Sequence, residues 1–150
     1  MSEHQPLEQK GLLSNRLTRA ATAVGRVTSQ VHKSEHGLTT PEFNVLMILG
    51  STSGRGSITS SDIVEATAMD KTKVSRAVSS LDQRGWLDRE RASSDRRFEF
   101  LSLTEDGQKA YQKLMPKVES AEGTLLQHLT DKERDSLEIG LSGLDRALGR

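Results

Sequence analysis

One short stretch of the chain carries an excess of basic side chains. From Lys71 to Arg97 the sequence has eight basic and four acidic residues, although the whole chain is neutral, with 21 Lys and Arg against 21 Asp and Glu. A positive surplus gathered into one segment of a neutral chain is typical of a surface that docks on a polyanion. The stretch therefore predicts a binding surface for a polyanion.

The first half of this stretch predicts an amphipathic helix over 70–84, with Asp70 as its N-cap. At about 100° per residue, the apolar residues fall in one arc. That arc contains Val74, Ala77, Val78 and Leu81. The opposite arc is polar and contains Thr72, Arg76, Ser79 and Gln83. Such a face can enter a DNA major groove, where Arg76 can read guanine through two hydrogen bonds and Thr72 can contact a thymine methyl group or a phosphate. An ordinary solvated helix face gives the same pattern.

Three further residues flank the polar arc near the start of this helix, namely Lys71, Lys73 and Ser75. Free backbone amides and the helix dipole favour anions at this end of a helix. We therefore expect these residues to contact phosphate groups and so to position the helix on DNA.

A second group of candidate contacts lies at the tip of a predicted β-hairpin, in Asp95-Arg96-Arg97. An arginine on such a wing can enter the narrow minor groove, where the electrostatic potential is most negative. Asp95, two positions before Arg97, can hold its guanidinium through a charge-assisted hydrogen bond. A solvated turn with a local salt bridge is the alternative interpretation.

The residues that other chemistry would need are missing or badly placed. The chain has no cysteine, which excludes disulfides, thiolate metal sites and thiol catalysis. His32 and His36 have a spacing that can hold a metal ion, with Glu35 between them, but no third ligand is evident and we predict no metal site. The serines lie at predicted helix caps and turns, and no histidine is placed to activate them, so an enzyme is not expected.

Capping residues and periodicity predict the elements that position the basic stretch. A long amphipathic helix from Leu13 ends before Gly37, and Thr39 and Glu42, at the spacing of a capping box, start a second helix. The expected buried face of that second helix contains Phe43, Leu46, Met47 and Leu49. The small polar residues of 50–57 predict a loop.

Next come two short helices and a hairpin. Thr59 and Asp62 predict the start of a third helix, which the helix over 70–84 follows after a few residues, so the pair makes a helix-turn-helix. The strand formers of 86–91 and 98–103 predict a β-hairpin. Together these elements make a winged helix-turn-helix.

Two amphipathic helices complete the chain. Thr104 is expected to cap the first, which contains Pro116 and should kink there, and Thr130 with Glu133 caps the second. Their apolar residues recur every three or four positions, at Tyr111, Leu114, Val118, Ala121 and Leu125 and then at Leu137, Leu141, Leu144 and Leu148. With only 3% aromatic residues, one small core does not cover these stripes, so they predict a dimer interface.

Three segments closely resemble the MarR family of regulators. They read Asp70-Lys-Thr-Lys-Val-Ser-Arg-Ala-Val-Ser-Ser-Leu-Asp-Gln-Arg-Gly-Trp-Leu, Asp95-Arg-Arg and Leu103-Thr-Glu-Asp-Gly. They correspond to the family's recognition helix ending in Leu-x-x-x-Gly, to its wing with Asp-x-Arg, and to the Leu-Thr-x-x-Gly that follows the wing. The resemblance implies an obligate dimer with interlocked terminal helices, recognition helices in successive major grooves and wings in the flanking minor grooves. Many members are repressors released by small, often aromatic or phenolic acids, whereas the redox-sensing members use cysteine, which this chain lacks.

We therefore expect a mainly α fold with a small β-hairpin wing, in which 1–150 form a single domain. Within it, 39–104 would be the winged helix-turn-helix lobe that binds DNA, and 1–38 and 105–150 would be the helical dimerisation lobe. The residues expected to contact DNA are Lys71, Thr72, Lys73, Ser75, Arg76, Ser79, Asp95, Arg96 and Arg97.

The expected function is a cytoplasmic transcriptional regulator, more often a repressor than an activator, that binds pseudo-palindromic double-stranded DNA as a homodimer. It needs no cofactor, and a small-molecule effector releases it. A winged-helix protein-interaction module without sequence-specific DNA binding is the alternative, because the fold alone does not fix the function. No apolar run reaches the length of a membrane span, so no membrane partner is expected.

Overall fold

The computed structural model describes residues 11–54, 58–91 and 98–150, and within these ranges it contains six helices and three short strands. In chain order they are α1 (Leu13–His36), α2 (Thr40–Ser51), β1 (Ile58–Thr59), α3 (Ser60–Ala66), α4 (Lys71–Gln83), β2 (Leu87–Arg91), β3 (Glu99–Leu103), α5 (Glu105–Leu126) and α6 (Asp131–Ala147). The expected mainly helical fold with a small antiparallel β element is confirmed.

The two helices of the helix-turn-helix begin at the predicted caps. Thr59 and Asp62 form a complete capping box, in which the Asp62 carboxylate accepts the Thr59 N–H at 2.8 Å. Asp70 Oδ1 accepts the Lys73 N–H at 2.9 Å and so fixes the first turn of α4. Each cap satisfies an amide that a helix start otherwise leaves without a partner.

The start of α2 differs from the predicted capping box in one hydrogen bond. Thr39 Oγ1 accepts the Glu42 N–H at 3.3 Å. The Glu42 carboxylate accepts the Thr39 hydroxyl at 3.0 Å, whereas a capping box would have it accept the backbone N–H of the cap. The other carboxylate oxygen of Glu42 instead faces Arg84, 3.5 Å away.

The end of α2 lies beyond the predicted one. Gly50, which we expected to begin a loop, is buried in the last turn of α2, which ends at Ser51. A Cβ at Gly50 would overlap the ring of Tyr111 on α5. The loop prediction was wrong for these two residues because Gly50 allows two helices to pack closely instead of reversing the chain.

The sheet has three strands in the order β1-β3-β2, all antiparallel. β2 and β3 form the predicted hairpin, with Leu87 opposite Leu103 and Arg91 opposite Glu99. The third strand, in which Ile58 lies opposite Leu101, was not predicted. Two residues are too few to show the alternation by which a strand is recognised in a sequence.

The core lies between α2, α4, the sheet and α5. Its members are Leu38, Phe43, Val45, Leu46, Leu49, Ile63, Val74, Ala77, Val78, Leu81, Leu87, Leu101, Leu114 and Val118. Three of the four predicted core residues of α2 are among them, and the fourth, Met47, packs against the cluster half-buried. The apolar arc predicted for α4 is confirmed in full.

The terminal helices differ in what covers them. α5 packs against α1 and α2 and continues through Pro116 as one helix, so the kink expected there stays a prediction. α6 contains no buried residue. Along it Leu137 and Leu141 are 47% and 46% exposed, and its C-cap, Leu148, is 70% exposed. None of the helices in the described ranges is long and apolar enough to cross a membrane.

Candidate nucleic-acid interface

The helix α4 is anchored by its apolar face and turns its polar face outward. Val74, Ala77, Val78 and Leu81 are at most 3% exposed, and α4 packs against α2 and α3. The predicted contact residues of this helix are all exposed, namely Lys71, Thr72, Lys73, Ser75, Arg76 and Ser79. The structure thus brings six predicted residues together on the accessible side of a helix whose apolar face is buried in the core.

The predicted tip of the hairpin lies outside the described residues. It contains the candidate contacts Asp95, Arg96 and Arg97. The roles of Asp95, Arg96 and Arg97 therefore stay predictions. The strands on either side of this segment are described, and their outermost pair is Arg91 opposite Glu99.

An ion cluster joins the base of the hairpin to α4. Arg89 on β2 donates from Nε and Nη2 to the Glu99 carboxylate on β3, at 2.8 and 2.9 Å. Its Nη1 lies 3.5 Å from Asp82 Oδ2 on α4. The hydrogen bonds from Arg89 hold the pKa of the Glu99 carboxyl below its usual value, with a smaller effect of the positive charge itself. The cluster links the hairpin to α4 through paired charges. The planar guanidinium of Arg89 suits this role because it can donate two parallel hydrogen bonds to one carboxylate.

Because of this cluster, Arg89 is not available as a positive charge for binding a polyanion. The sequence argument treated Arg89 as one of eight basic residues in the stretch, but two carboxylates neutralise it. The hairpin register contains the signal that we missed, since Arg89 and Glu99 lie diagonally across the ladder, two residues off direct opposition. The candidate interface is therefore more local than the charge surplus suggested and centres on α4.

A second arginine holds the other end of α4, at a place that we name the Arg84 junction (Arg84, His36, Glu42 and Trp86). Arg84, the C-cap of α4, donates from Nη1 to the His36 carbonyl at 2.9 Å. Its Nη2 lies 3.5 Å from Glu42 Oε2, and its guanidinium carbon lies 5.2 Å from the centre of the Trp86 ring. The His36 ring meets the same indole edge-on at 5.2 Å.

The histidine pair weighed as a metal site has a structural role. His32 is fully buried, stacks on Phe43 at 4.7 Å, and shares a 2.8 Å hydrogen bond between Nδ1 and the Leu38 carbonyl. Burial lowers the pKa of the His32 imidazole, and the bond to the Leu38 carbonyl opposes that shift in part. His36 instead faces Trp86, and no group of three metal-ligating side chains occurs within the described ranges.

The helices α3 and α4 form a helix-turn-helix, and the hairpin of β2 and β3, joined by β1, follows it. The apolar face of α4 is buried in the core and its polar face is exposed. This arrangement defines a winged-helix protein. A sequence model of the MarR family matches residues 36–97. This matched region contains α2, α3, α4, β1 and β2 and the candidate contact residues. The family match and the curated relatives support a MarR-family winged-helix regulator, and that family consists of transcriptional regulators and not of enzymes.

One curated relative is the transcriptional repressor MprA of Escherichia coli, which is 32% identical over 82 residues. The match covers 55% of this chain and 47% of MprA, so the chain spans about half the length of that relative. A second similar protein is BpsR of Bordetella bronchiseptica, whose solved structure concerns the regulation of its DNA binding by 6-hydroxynicotinic acid. It is 25% identical to this chain, with a TM-score of 0.76. It aligns over 89% of this chain and 98% of BpsR.

The fold is also similar to that of MepR from Staphylococcus aureus in complex with DNA. The TM-score is 0.75 over 91% of this chain and 98% of MepR, at 19% identity. At this identity the likeness concerns the fold. The agreement extends over the winged helix and the terminal helices alike.

Proposed function

We propose that this protein is a sequence-specific DNA-binding transcriptional regulator that places α4 in the major groove. The observation that carries the proposal is the exposed polar face of α4 on a helix whose opposite face is locked in the core. A reading helix needs this combination, because base-edge hydrogen bonds tolerate little displacement of the side chains that make them. The match to the MarR family supports it.

The exposed residues of α4 divide into two kinds of contact. Arg76, on the centre of the outward arc, is proposed to read guanine in each half-site, and Thr72 to contact a thymine methyl group or a phosphate. Lys71, Lys73 and Ser75 are proposed to contact phosphates near the helix start, while Ser79 extends the reading face. These assignments rest on the exposure of all six side chains and on the chemistry of each group.

The wing is proposed to supply a second, minor-groove contact through Arg96 and Arg97, with Asp95 orienting Arg97. The resemblance of Asp95-Arg96-Arg97 to the Asp-x-Arg of the family supports this role. The ion cluster of Arg89 adds support because it fixes the base of the hairpin against α4. A wing attached in this way would move with the recognition helix.

The acting species is proposed to be a homodimer on a pseudo-palindromic site with half-site centres about one helical turn apart. The exposed leucines Leu137, Leu141 and Leu148 at the end of the chain support this, since the residues that the structure describes leave them uncovered. The terminal helices α1, α5 and α6 would then form the dimerisation lobe, and α2 to β3 the DNA-binding lobe, of one domain.

The sign of regulation and the effector are proposed from the relatives. MprA is a repressor, and a small pyridine acid regulates DNA binding by BpsR. We propose that this protein represses its promoter in the cytoplasm and that a small aromatic or phenolic ligand releases it. Such release follows if the ligand binds better to a conformation that does not fit the operator.

Selection of duplexes from a random DNA library by the purified protein tests the proposal. The best duplex is then measured by fluorescence anisotropy at several salt concentrations. We expect an enriched inverted repeat and an affinity that falls steeply with salt, because phosphate contacts release counterions. No enrichment at low salt would contradict the proposal and would favour a winged-helix module that binds protein.

A further inference from the structure

The Arg84 junction connects the end of α4 to the end of α1. Arg84 closes α4, and the carbonyl that it binds, that of His36, is the last of α1. Its second partner, Glu42, lies in the first turn of α2. One guanidinium therefore joins the reading helix to a helix of the dimerisation lobe and to the helix between them.

The residues after Arg84 make a second connection, to α5. Thr104, the N-cap of α5, donates its hydroxyl to the Gly85 carbonyl at 2.7 Å, and its N–H to the Trp86 carbonyl at 3.0 Å. A Cβ at Gly107 in the first turn of α5 would overlap that Trp86 carbonyl. The segment that leaves α4 is thus held between the end of α1 and the start of α5.

The contacts of Arg84 suit arginine and not lysine. Nη1 binds the His36 carbonyl, Nη2 faces the Glu42 carboxylate, and the guanidinium carbon lies over the Trp86 ring, 5.2 Å from its centre. A lysine ammonium is a point charge on a flexible stem that cannot supply two donors in a fixed fork. Glu42 Oε2 is buried and accepts no hydrogen bond within the described residues, so Arg84 is the cation that compensates its charge.

We propose that Arg84 is a positioning residue that sets the angle of α4 relative to the dimerisation lobe and thereby the half-site separation that the dimer accepts. This inference rests on the proposed function. It assigns to Arg84 an effect on DNA binding without contact to DNA.

The length of α4 makes the accepted half-site separation sensitive to the angle of this helix. α4 has 13 residues and, at roughly 1.5 Å per residue, is about 20 Å long. The Arg84 junction holds it at one end, whereas Lys71 to Arg76 lie towards the other. A rotation of about 10° about the held end moves the far end of such a helix by about 3 Å, close to the rise of one base pair. A small loss of angular restraint would therefore blur the choice between spacings.

The test measures affinity for duplexes that carry the selected half-sites at the preferred separation, at one base pair less and at one more. A duplex with a single half-site serves as the reference. Wild type is compared with Arg84→Ala, Arg84→Lys and Glu42→Gln, and Lys113→Ala on α5 is the control that removes one exposed positive charge elsewhere. The free energy of unfolding is measured for each variant.

We expect Arg84→Ala to lower the preference for the best spacing by at least about fivefold, the size of a modest coupling between two sites. Affinity for the single half-site should stay within about twofold of wild type, as for Lys113→Ala. Arg84→Lys should lose most of the preference although it keeps the charge. Glu42→Gln should lose part of it, and the double variant Arg84→Ala with Glu42→Gln should lose no more than Arg84→Ala alone.

Several results would overturn the inference. An equal loss on all duplexes, the single half-site included, would make Arg84 a DNA-contacting charge. An unchanged spacing preference in Arg84→Ala, or in Arg84→Lys and Glu42→Gln if the alanine variant does not fold, would leave the junction a structural contact alone. Failure of the wild type to select any duplex would instead defeat the proposed function, and with it this inference.

Discussion

The helices α4 and α6 are built on the same local pattern and end in opposite environments. α4 has 13 residues with an N-cap at Asp70, and α6 has 17 residues with an N-cap at Thr130. Each places apolar residues three and four apart along one face. The face of α4 is buried at all four positions, whereas α6 buries none of its residues.

The difference lies in what the rest of the chain offers to each face. α2, α3 and the sheet surround α4, so its apolar face is used within the chain and its polar face is left for a ligand. In the described part of the chain no residue of α6 is buried, and its leucines Leu137 and Leu141 are exposed. Hydrophobic burial is the main gain in folding and association, so we infer that the apolar face of α6 is one binding surface of the molecule and that the polar face of α4 is another.

A charge in the leucine stripe of α6 is the strongest test of this comparison. We expect Leu141→Glu to give monomers in light scattering and to weaken binding to a two-half-site duplex by about 100-fold or more, because the second half-site then binds without the gain of linkage. Ile139→Glu is the matched control, since Ile139 is 73% exposed and lies on the opposite side of α6. A dimeric Leu141→Glu, or an equal effect of Ile139→Glu, would contradict the assignment of the interface.

Substitutions on α4 sharpen the comparison by separating its two kinds of contact. Arg76→Ala should relax the preference at one position of each half-site, by about 1–3 kcal/mol per contact. Lys73→Ala should weaken binding to all sequences alike and lower the salt slope by about one. Anisotropy titrations on a panel of single-base variants at several salt concentrations measure both. A uniform loss in Arg76→Ala would make Arg76 a phosphate contact.

The smallest effect that we expect is on the pH dependence of stability, through the buried His32. Burial lowers the pKa of His32 from the ordinary 6.5. Below pH 6.5 the unfolded chain therefore binds a proton at this imidazole that the folded chain does not bind. The stabilisation is complete above pH 6.5 and is lost as the pH falls towards the lower pKa of the folded state. The carboxyl groups whose pKa values are lowered titrate in a more acidic range, below 4.5.

Denaturant titrations between pH 7 and pH 5.5 measure this effect. Wild type should lose up to about 1 kcal/mol more of its unfolding free energy over that range than His32→Gln loses. Equal slopes for wild type and His32→Gln would show that His32 does not titrate differently on folding.

The sequence predicted those features that depend on neighbours along the chain. The caps Thr59, Asp70, Thr104 and Thr130 are all confirmed, because a capping side chain and the amide that it binds are three residues apart. The apolar arc of α4 is confirmed for the same reason, since helical periodicity places its members together whatever surrounds them.

Features that join distant segments escaped the sequence argument. The two-residue strand β1 exists only because β3 lies beside it. The sequence predicted a loop at Gly50 because its contact with the Tyr111 ring of α5 joins residues that are far apart in the chain. Arg84 and Arg89 were counted only as basic residues, because their partners, the His36 carbonyl and the Glu99 carboxylate, lie 48 and 10 residues away. Contacts of this kind follow from topology and register, which a single sequence does not specify.

Guanine-N7 methylation protection on the selected duplex tests the central claim most directly, because N7 lies in the major groove where α4 is proposed to bind. We expect wild type to protect guanines in two symmetric clusters about one helical turn apart. Arg76→Ala should lose protection at one guanine of each cluster and keep the rest. Binding without any N7 protection, or a pattern that Arg76→Ala leaves unchanged, would contradict the placement of α4 in the major groove.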